Sequence, residues 1–204
     1  MRVRTEARHQ AIIAIAAKLF LEHGFERTTM AEVAARLGGS KSTLYRYFAT
    51  KDELFAAVMM AAVKSQGDEL VRLLGQDAPI ADRLRAFGRT YLTLNTSPDV
   101  VALNRIMIAE GERARLGALF YERGPLHAWR AFREFVAKNM PVGSLAVADP
   151  WRAAMMFKGL LEADLLERRM RGAITSVTED QIAGTVDQAA ELFLTCFKLT
   201  RASG

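Results

Sequence analysis

Hydroxyl, phenol and amine side chains are concentrated in a short stretch near the N-terminus, and helix-capping signals divide this stretch. Thr29 and Thr50 each precede a carboxylate by three residues, Glu32 and Glu53, which is the spacing of a capping box at the start of a helix. Ser40, between them, is a third candidate N-cap. Such side chains can hydrogen-bond to phosphate oxygens and base edges, so the chemistry they offer is recognition of a nucleic acid.

The capping signals predict two short helices joined by a glycine turn. The helices are expected over residues 30–37 and 41–47, with Gly38 and Gly39 between them, which is the form of a DNA-reading helix-turn-helix. Leu44 is expected to pack inward, whereas the opposite face of the second helix suits base edges and the flanking groups suit phosphates. The predicted DNA-binding residues are Thr28, Thr29, Ser40, Lys41, Ser42, Thr43, Tyr45, Arg46, Tyr47 and Lys51.

Charge is distributed unevenly along the 204 residues. Residues 1–50 hold eight Lys or Arg against four Asp or Glu, and residues 51–204 hold twenty against nineteen, for a net charge of +5. A basic end on a near-neutral body indicates a polyanionic partner for that end, although a solvated basic surface has the same composition. Arg2, Arg4 and Arg8 are either an arm near phosphates or the frayed start of the first helix.

The whole chain is predicted to be helical. Half of its residues are hydrophobic and a quarter are charged, and long windows are rich in alanine and leucine. We expect an all-α fold of about nine helices, with a three-helix DNA-binding domain at residues 1–50 and a helical ligand-binding and dimerisation domain at residues 51–204. A helix from residue 51 to about residue 75 links the two. One long helix is expected over residues 150–171.

The single cysteine and the apolar segments bear on cellular location. Cys196 allows no intrachain disulfide, which favours a reducing compartment, and its apolar neighbours Leu192, Phe193 and Phe197 favour a buried thiol over a redox sensor. No run approaches the roughly 18 apolar residues of a membrane span. Residues 11–17 are apolar but too short for a signal peptide. These features predict a cytoplasmic location.

Residues 5–58 resemble the DNA-binding domain of the tetracycline-repressor (TetR) family of bacterial regulators. The residues that carry the resemblance are Ala16, Leu19, Phe20, Gly24, Thr28, Thr29, Ala34, Leu37, Gly38, Ser40, Lys41, Thr43, Leu44, Tyr45, Tyr47, Phe48, Lys51, Glu53 and Leu54. The resemblance implies a homodimer that binds a palindromic double-stranded DNA operator, usually as a repressor that a small-molecule effector releases. Two positions depart from the family pattern: Gly39 replaces a more common apolar residue, and Ser42 stands where glycine is frequent. Residues 105–110 and 120–125 resemble the regulatory domains of AefR-type members.

The last helices are apolar on more than one side, which predicts that each faces both its own core and a partner chain. Two copies would form a four-helix interface of two-fold symmetry, and deep burial within a monomer is the alternative. The predicted dimer-interface residues are Trp151, Met155, Leu161, Leu165, Ile182, Val186, Ala189 and Phe193. Methionine and aromatic side chains of the body either line an apolar effector site or fill the core. The predicted ligand-binding residues are Met59, Tyr91, Met107, Phe120, Trp129, Met155 and Met156.

An enzyme is the competing class of function. His9, His23 and His127 lie far apart, none has a second ligand at metal-binding spacing, and no nucleophile elbow, phosphate-binding loop or dinucleotide fingerprint occurs. We therefore expect no catalytic residues, no metal and no cofactor. A nearer alternative is a DNA-binding protein that lacks a small-molecule inducer and acts structurally or through a protein partner. Loss of DNA binding on addition of a ligand would separate the two.

Overall fold

Helices joined by turns make up the part of the chain that the structure describes. The computed structural model describes residues 2–112, 116–139 and 149–197, and these ranges contain eleven α-helices and no strand. The helices are α1 (Arg2–Arg27), α2 (Met30–Arg36), α3 (Lys41–Tyr45), α4 (Lys51–Leu74), α5 (Ile80–Thr96), α6 (Pro98–Glu110), α7 (Leu116–Arg123), α8 (Pro125–Asn139), α9 (Pro150–Glu162), α10 (Leu165–Met170) and α11 (Glu179–Phe197). The predicted all-α fold is confirmed.

The chain divides into two compact units, each with its own hydrophobic core. The first unit comprises residues 1–64 and 102–123, and the second comprises residues 65–101 and 124–204. Helices α1–α3 and α7 therefore belong to the first unit, α5 and α8–α11 belong to the second, and α4 and α6 each contribute residues to both. The division of the chain at residue 50 stays a prediction.

The core of the first unit is built on the apolar face of α1. Ile12, Ala16, Leu19 and Phe20 have no exposed surface, in agreement with the i, i+3, i+4, i+7 spacing of this helix. The Phe20 ring packs edge-on against Phe55 at 5.0 Å between centroids. Three side chains from α6 and α7 complete the same core: Leu103, Met107 and Phe120. The short helices α2 and α3 are stabilised by this core, because isolated helices of their length are unstable.

The capping signals are confirmed as hydrogen bonds. The Thr29 hydroxyl accepts from the backbone N–H of Glu32 at 3.2 Å, and the Thr50 hydroxyl accepts from the backbone N–H of Glu53 at 3.1 Å. Gly24 interrupts α1 with a φ of 78°. These caps fix where α2 and α4 begin, and therefore where the polar side chains between them lie.

The core of the second unit is rich in aromatic rings. Five large side chains are almost fully buried in it: Phe87, Trp129, Phe132, Phe157 and Phe193. Helix α5 approaches α11 closely at Gly88, where an added Cβ would lie 2.9 Å from Val186 Cγ1. A glycine is therefore required at this crossing for steric reasons.

The predicted long helix over residues 150–171 is wrong in one respect, because the chain breaks into α9 and α10. Asp164, at the break, has φ −117° and ψ −75°, outside the usual helical range. Leu165 and Leu166 are both buried after the break. The buried Arg169 then donates from Nε to the carbonyl oxygen of Thr96 at 3.3 Å. A continuous apolar pattern does not reveal such a break, since the same residues are apolar in both arrangements.

Candidate nucleic-acid interface

Helix α3 is positioned by one cap and one buried side chain. The Ser40 hydroxyl accepts from the backbone N–H of Thr43 at 3.2 Å, and Leu44 has no exposed surface. The preceding turn closes on Gly38, whose φ of +66° favours glycine. With one side anchored at Leu44, the remaining sides of α3 are available to a partner.

The free surface of α3 carries four exposed polar side chains, and these are Lys41, Ser42, Tyr45 and Arg46. Tyr45 is the most apolar of them, and half of its surface is exposed. Within the described ranges, the side chains of Lys41, Tyr45 and Arg46 form no hydrogen bond or ion pair. Their donors are thus available to base edges or phosphate oxygens.

A cluster of hydroxyls lies at the N-terminus of α3. The Ser40 and Thr43 hydroxyl oxygens are 3.0 Å apart, and the Ser42 hydroxyl oxygen lies 3.5 Å from that of Ser40. Because a hydroxyl can rotate to donate or accept, this cluster can adapt to either type of group on a base edge. The N-terminal residues of the second helix are also those that contact bases in helix-turn-helix proteins.

A depression of about 380 Å³ lies where α2, α3 and α4 begin. Five predicted DNA-binding residues line it together, and these are Thr28, Thr29, Lys41, Tyr45 and Lys51. Two lysines and one glutamate, Glu26, line this concave surface, so the formal charge of its lining is positive, as a phosphate-binding surface requires. The structure therefore brings together predicted residues that are up to 23 positions apart in the sequence.

Thr28 requires a correction. Its side chain is only 1% exposed, and its hydroxyl lies 2.8 Å from the Gly24 carbonyl oxygen and 3.1 Å from the Leu19 carbonyl oxygen. The hydroxyl donates to carbonyls near the interruption of α1 and cannot reach a phosphate. The predicted DNA contact of this side chain is wrong, because the Thr28-Thr29 pair alone does not reveal which hydroxyl faces inward.

Lys51 lines the depression and also has a structural role. Its Nζ donates to the carbonyl oxygens of Phe25 and Glu26 at 2.8 and 3.2 Å, and it lies 4.2 Å from the centroid of the Phe25 ring. These bonds tie the end of α1 to the start of α4. An ammonium group has three N–H donors, so one remains for a phosphate oxygen.

Tyr47 is half-buried beside α3. Its ring lies 6.2 Å from the ring of His9, which stacks on Phe48 at 5.0 Å. The hydroxyl of Tyr47 forms no hydrogen bond within the described ranges. The ring is therefore anchored while the hydroxyl stays available, as a phosphate contact requires.

Two family models match the chain, and together they cover both units. Residues 12–58 match the model of the bacterial regulatory proteins of the tetR family, and residues 82–198 match that of the C-terminal domain of AefR-like transcriptional repressors. The chain belongs to the TetR family. It is accordingly a DNA-binding transcriptional regulator.

Curated relatives of this TetR-family chain agree with that assignment. It is 37% identical over 70 residues to the DNA-binding transcriptional repressor TetR of Mycobacteroides abscessus, a match that covers 34% of this chain and 37% of that protein. It is 31% identical over 125 residues to an uncharacterized HTH-type transcriptional regulator of Mycobacterium bovis, covering 52% of this chain and 62% of that protein. The chain thus spans less than two thirds of the length of these relatives.

Solved structures share the fold of the TetR-family chain over almost its full length. The Flavonoid-responsive Regulator FrrA is 32% identical, with a TM-score of 0.72 and coverage of 93% of this chain and 96% of that one. A regulator assigned to the TetR family from Mesorhizobium loti is 24% identical, with a TM-score of 0.82 and coverage of 94% and 97%. The second similarity concerns the fold alone.

Most residues predicted for a dimer interface face the core of the regulator's second unit. Leu161 and Val186 have no exposed surface and do not line a surface groove, so their predicted contact with a second chain is wrong. Leu165 and Ile182 are buried but keep a small exposed fraction, and for them the contact stays a prediction. Ala189 and Phe193 are also buried but reach the floor of a surface groove. Trp151 and Met155 are half-buried against the same core. Both faces of α9 and α11 are apolar, so periodicity alone could not identify the inner one.

The outer faces of α9 and α11 form this groove, which we call the α9–α11 groove. It has a volume of about 590 Å³ and is lined by Met156, Gly159, Leu160, Ala163, Asp164, Thr185, Gln188, Ala189, Leu192, Phe193, Cys196 and Phe197. Met156 is 52% exposed and Leu192 is 45% exposed. Cys196 is exposed, so the expected buried thiol is wrong.

The residues predicted to bind an effector are distributed over the two cores. Met59, Met107 and Phe120 lie in the core of the first unit. Tyr91 and Trp129 lie in that of the second, with their rings 5.1 Å apart, and Met155 packs against it. Met156 lies outside both cores and is exposed in the α9–α11 groove, so its contact with an effector stays a prediction.

Three polar side chains, Tyr91, Lys158 and Glu162, form hydrogen bonds at the edge of the second core. The Tyr91 hydroxyl donates to one carboxylate oxygen of Glu162, and Lys158 donates to the other.

Across residues 2–112, 116–139 and 149–197, no three His, Cys, Asp or Glu side chains are grouped to hold a metal ion. None of the described helices is long and apolar enough to cross a membrane.

Proposed function

We propose that the chain is a homodimeric repressor that binds a palindromic operator and is released by a small, largely apolar effector. The observation that carries this proposal is a pair of exposed surfaces. One is the polar face of α3 in the first unit, and the other is the apolar α9–α11 groove in the second. The first suits DNA, and the second suits another copy of the chain. Family membership supports the combination of the two.

The dimer is supported by the composition of the α9–α11 groove. Exposed apolar patches of this kind mark surfaces that a partner covers. Met156 and Leu192 supply apolar area, and Gly159 has open space where a side chain would stand, which allows a second helix to approach closely. Two copies of α9 and α11 related by a two-fold axis would form a four-helix interface.

The two-fold symmetry of the proposed dimer determines the form of the operator. Two α3 helices in successive major grooves must lie about 34–36 Å apart, and a two-fold dimer then selects an inverted repeat. We assign base reading to Ser42, Thr43, Tyr45 and Arg46, and phosphate contacts to Thr29, Lys41, Tyr47 and Lys51. The Ser40 hydroxyl is engaged in the cap of α3 and positions the others.

The effector is inferred from one relative and one feature of the second core. FrrA, which is similar to this chain over nearly its full length, is flavonoid-responsive. In this chain Tyr91 and Trp129 pack edge-to-face in the second core, and the Glu162 carboxylate beside them accepts hydrogen bonds from Tyr91 and Lys158, contacts that an aromatic effector would replace. A planar phenolic compound would stack on the Tyr91 and Trp129 rings, and its hydroxyl would donate a hydrogen bond to the Glu162 carboxylate. We therefore place the effector in the second unit, among the aromatic residues.

Effector release is tested by measuring operator affinity with and without a panel of flavonoids. Allosteric coupling is typically about 1–3 kcal/mol, so a true effector should weaken operator binding roughly 5- to 150-fold. The same compound should raise the melting temperature of the DNA-free protein, because a ligand that binds the native state stabilises it. Compounds that leave both quantities unchanged across the panel would contradict a flavonoid-like effector and favour a regulator without an inducer.

A further inference from the structure

The glycine at position 39 has no conformational explanation. Gly38 has a φ of +66° and needs glycine, but the backbone of Gly39 lies outside the left-handed region, where other residues fit without strain. The explanation is steric, since a Cβ added to Gly39 would lie 2.7 Å from Nη2 of Arg8. The glycine leaves the space that the Arg8 guanidinium occupies.

Arg8 has a charge that nothing described in the chain neutralises. It is half-buried on α1, and within the described ranges it forms no ion pair or hydrogen bond. The next residue, His9, stacks on Phe48 and lies near the ring of Tyr47, so this end of α1 is anchored beside α3. A cation held in place without an acidic partner is a surface feature that suits an external anion.

We propose that Arg8 contacts a DNA phosphate and that Gly39 positions it. The guanidinium lies against the turn that leads directly into the Ser40 cap and Lys41, at the end of α3 that enters the major groove. The phosphate backbone borders the groove at that point, and a guanidinium can donate two parallel hydrogen bonds to phosphate oxygens. The contact rests on the proposed role of α3 as the recognition helix.

The experiment measures the affinity of the full chain for a fluorescent duplex of random sequence by anisotropy, from low salt upwards. A duplex of about 40 base pairs spans two successive major grooves. Non-specific DNA suffices, because a phosphate contact does not depend on base sequence. The variants are Arg8→Ala, Gly39→Ala and their combination. Arg130→Ala is the matched control, because it removes an equal charge from an exposed site on α8 in the second unit.

Arg8→Ala should reduce the magnitude of the salt slope of log K by about 0.9 per subunit, or about 1.8 for the proposed dimer on one duplex. If the variant and the wild type bind equally at about 1 M salt, the dimeric variant should then bind roughly 60-fold more weakly than the wild type at about 0.1 M salt. Gly39→Ala should reproduce this loss by displacing the guanidinium, without lowering the melting temperature. The double variant should bind no more weakly than Arg8→Ala alone, because both changes remove one contact. Arg130→Ala should keep the wild-type slope.

Two results would overturn the assignment and leave the proposed function intact. One is a wild-type slope in Arg8→Ala, which would show that this residue neutralises no phosphate. The other is additive losses from Arg8→Ala and Gly39→Ala, which would mean that Gly39 acts on the turn and does not position Arg8. A wild-type chain that binds no duplex even at low salt would instead contradict the function proposed for α3, and the Arg8 contact with it.

Discussion

The residues predicted to contact DNA differ in how many of their polar groups already form hydrogen bonds within the chain. Tyr45 has a hydroxyl that is free to meet DNA, whereas the Thr28 hydroxyl donates to carbonyls of α1. Lys51 combines both roles, with two N–H groups donated to α1 and one left over. Residue types and spacing predicted all three as DNA contacts. The distinction between them required the direction of each side chain, which depends on how α1 ends.

Tyr45→Ala should change which DNA sequence the protein prefers. Its exposed phenol is offered to base edges, and one good base contact is worth about 1–3 kcal/mol of discrimination. Selection of bound duplexes from a random pool should show relaxed preference at one position of each half-site. Tyr121→Ala, which removes another exposed tyrosine on α7, is the control. An unchanged preference in Tyr45→Ala would count against base reading.

Lys51→Met should destabilise the first unit as well as weaken DNA binding. The substitution keeps the aliphatic stem but removes two charge-assisted hydrogen bonds to the carbonyls of Phe25 and Glu26. Partial exposure reduces their worth, so we expect a loss of about 1–2 kcal/mol in the free energy of unfolding, measured with urea. Binding should weaken equally for all sequences. Unchanged stability would refute the tie between α1 and α4.

At the scale of helices, capping residues were reliable predictors and apolar patterns were ambiguous. Thr29, Ser40 and Thr50 act as the caps that their spacing predicts, because a cap depends only on neighbouring residues. The burial of Val186 on α11 depends on which of two apolar faces turns inward. The break before α10 likewise depends on tertiary packing. Local sequence carries the first kind of information and not the second.

The double substitution Met156→Glu and Leu192→Glu should convert the proposed dimer into a monomer. Both side chains are exposed in the α9–α11 groove, and buried carboxylates would face their counterparts across a two-fold interface. Sedimentation equilibrium at micromolar concentration measures the mass. Ile108→Glu is the control, because Ile108 is 74% exposed on α6, outside the groove. A wild-type chain that sediments as a monomer would contradict the proposed dimer.

Gly88→Ala should lower the stability of the second unit. The added Cβ would lie 2.9 Å from Val186 Cγ1 and 3.2 Å from Leu161 Cδ2, and overpacking of this kind costs about 1–3 kcal/mol. Gly67→Ala on α4 is the matched control, since nothing lies within 4 Å of its added Cβ. It should stabilise the chain by about 0.4–1 kcal/mol. Equal melting temperatures for the two variants would refute the close crossing of α5 and α11.

For the whole molecule, the helix-turn-helix was predictable from the sequence, and the remaining helices were predictable only as a fold class. Thr43, Tyr45 and Tyr47 lie in a motif of consecutive short helices, so their proposed DNA contacts could be predicted without coordinates. The proposed effector site and dimer surface combine residues from helices that are distant in the sequence, as the hydrogen bond between Tyr91 and Glu162 illustrates. Predicting such combinations requires the packing of all the helices, which no short pattern encodes.

The central claim is that two copies of this chain read DNA as a symmetric dimer. Selection of bound duplexes from a random pool, followed by sequencing, tests this most directly. The account predicts an enriched inverted repeat whose half-site centres lie about one helical turn, roughly 34–36 Å, apart. A single asymmetric site, or the absence of any enriched sequence, would contradict it.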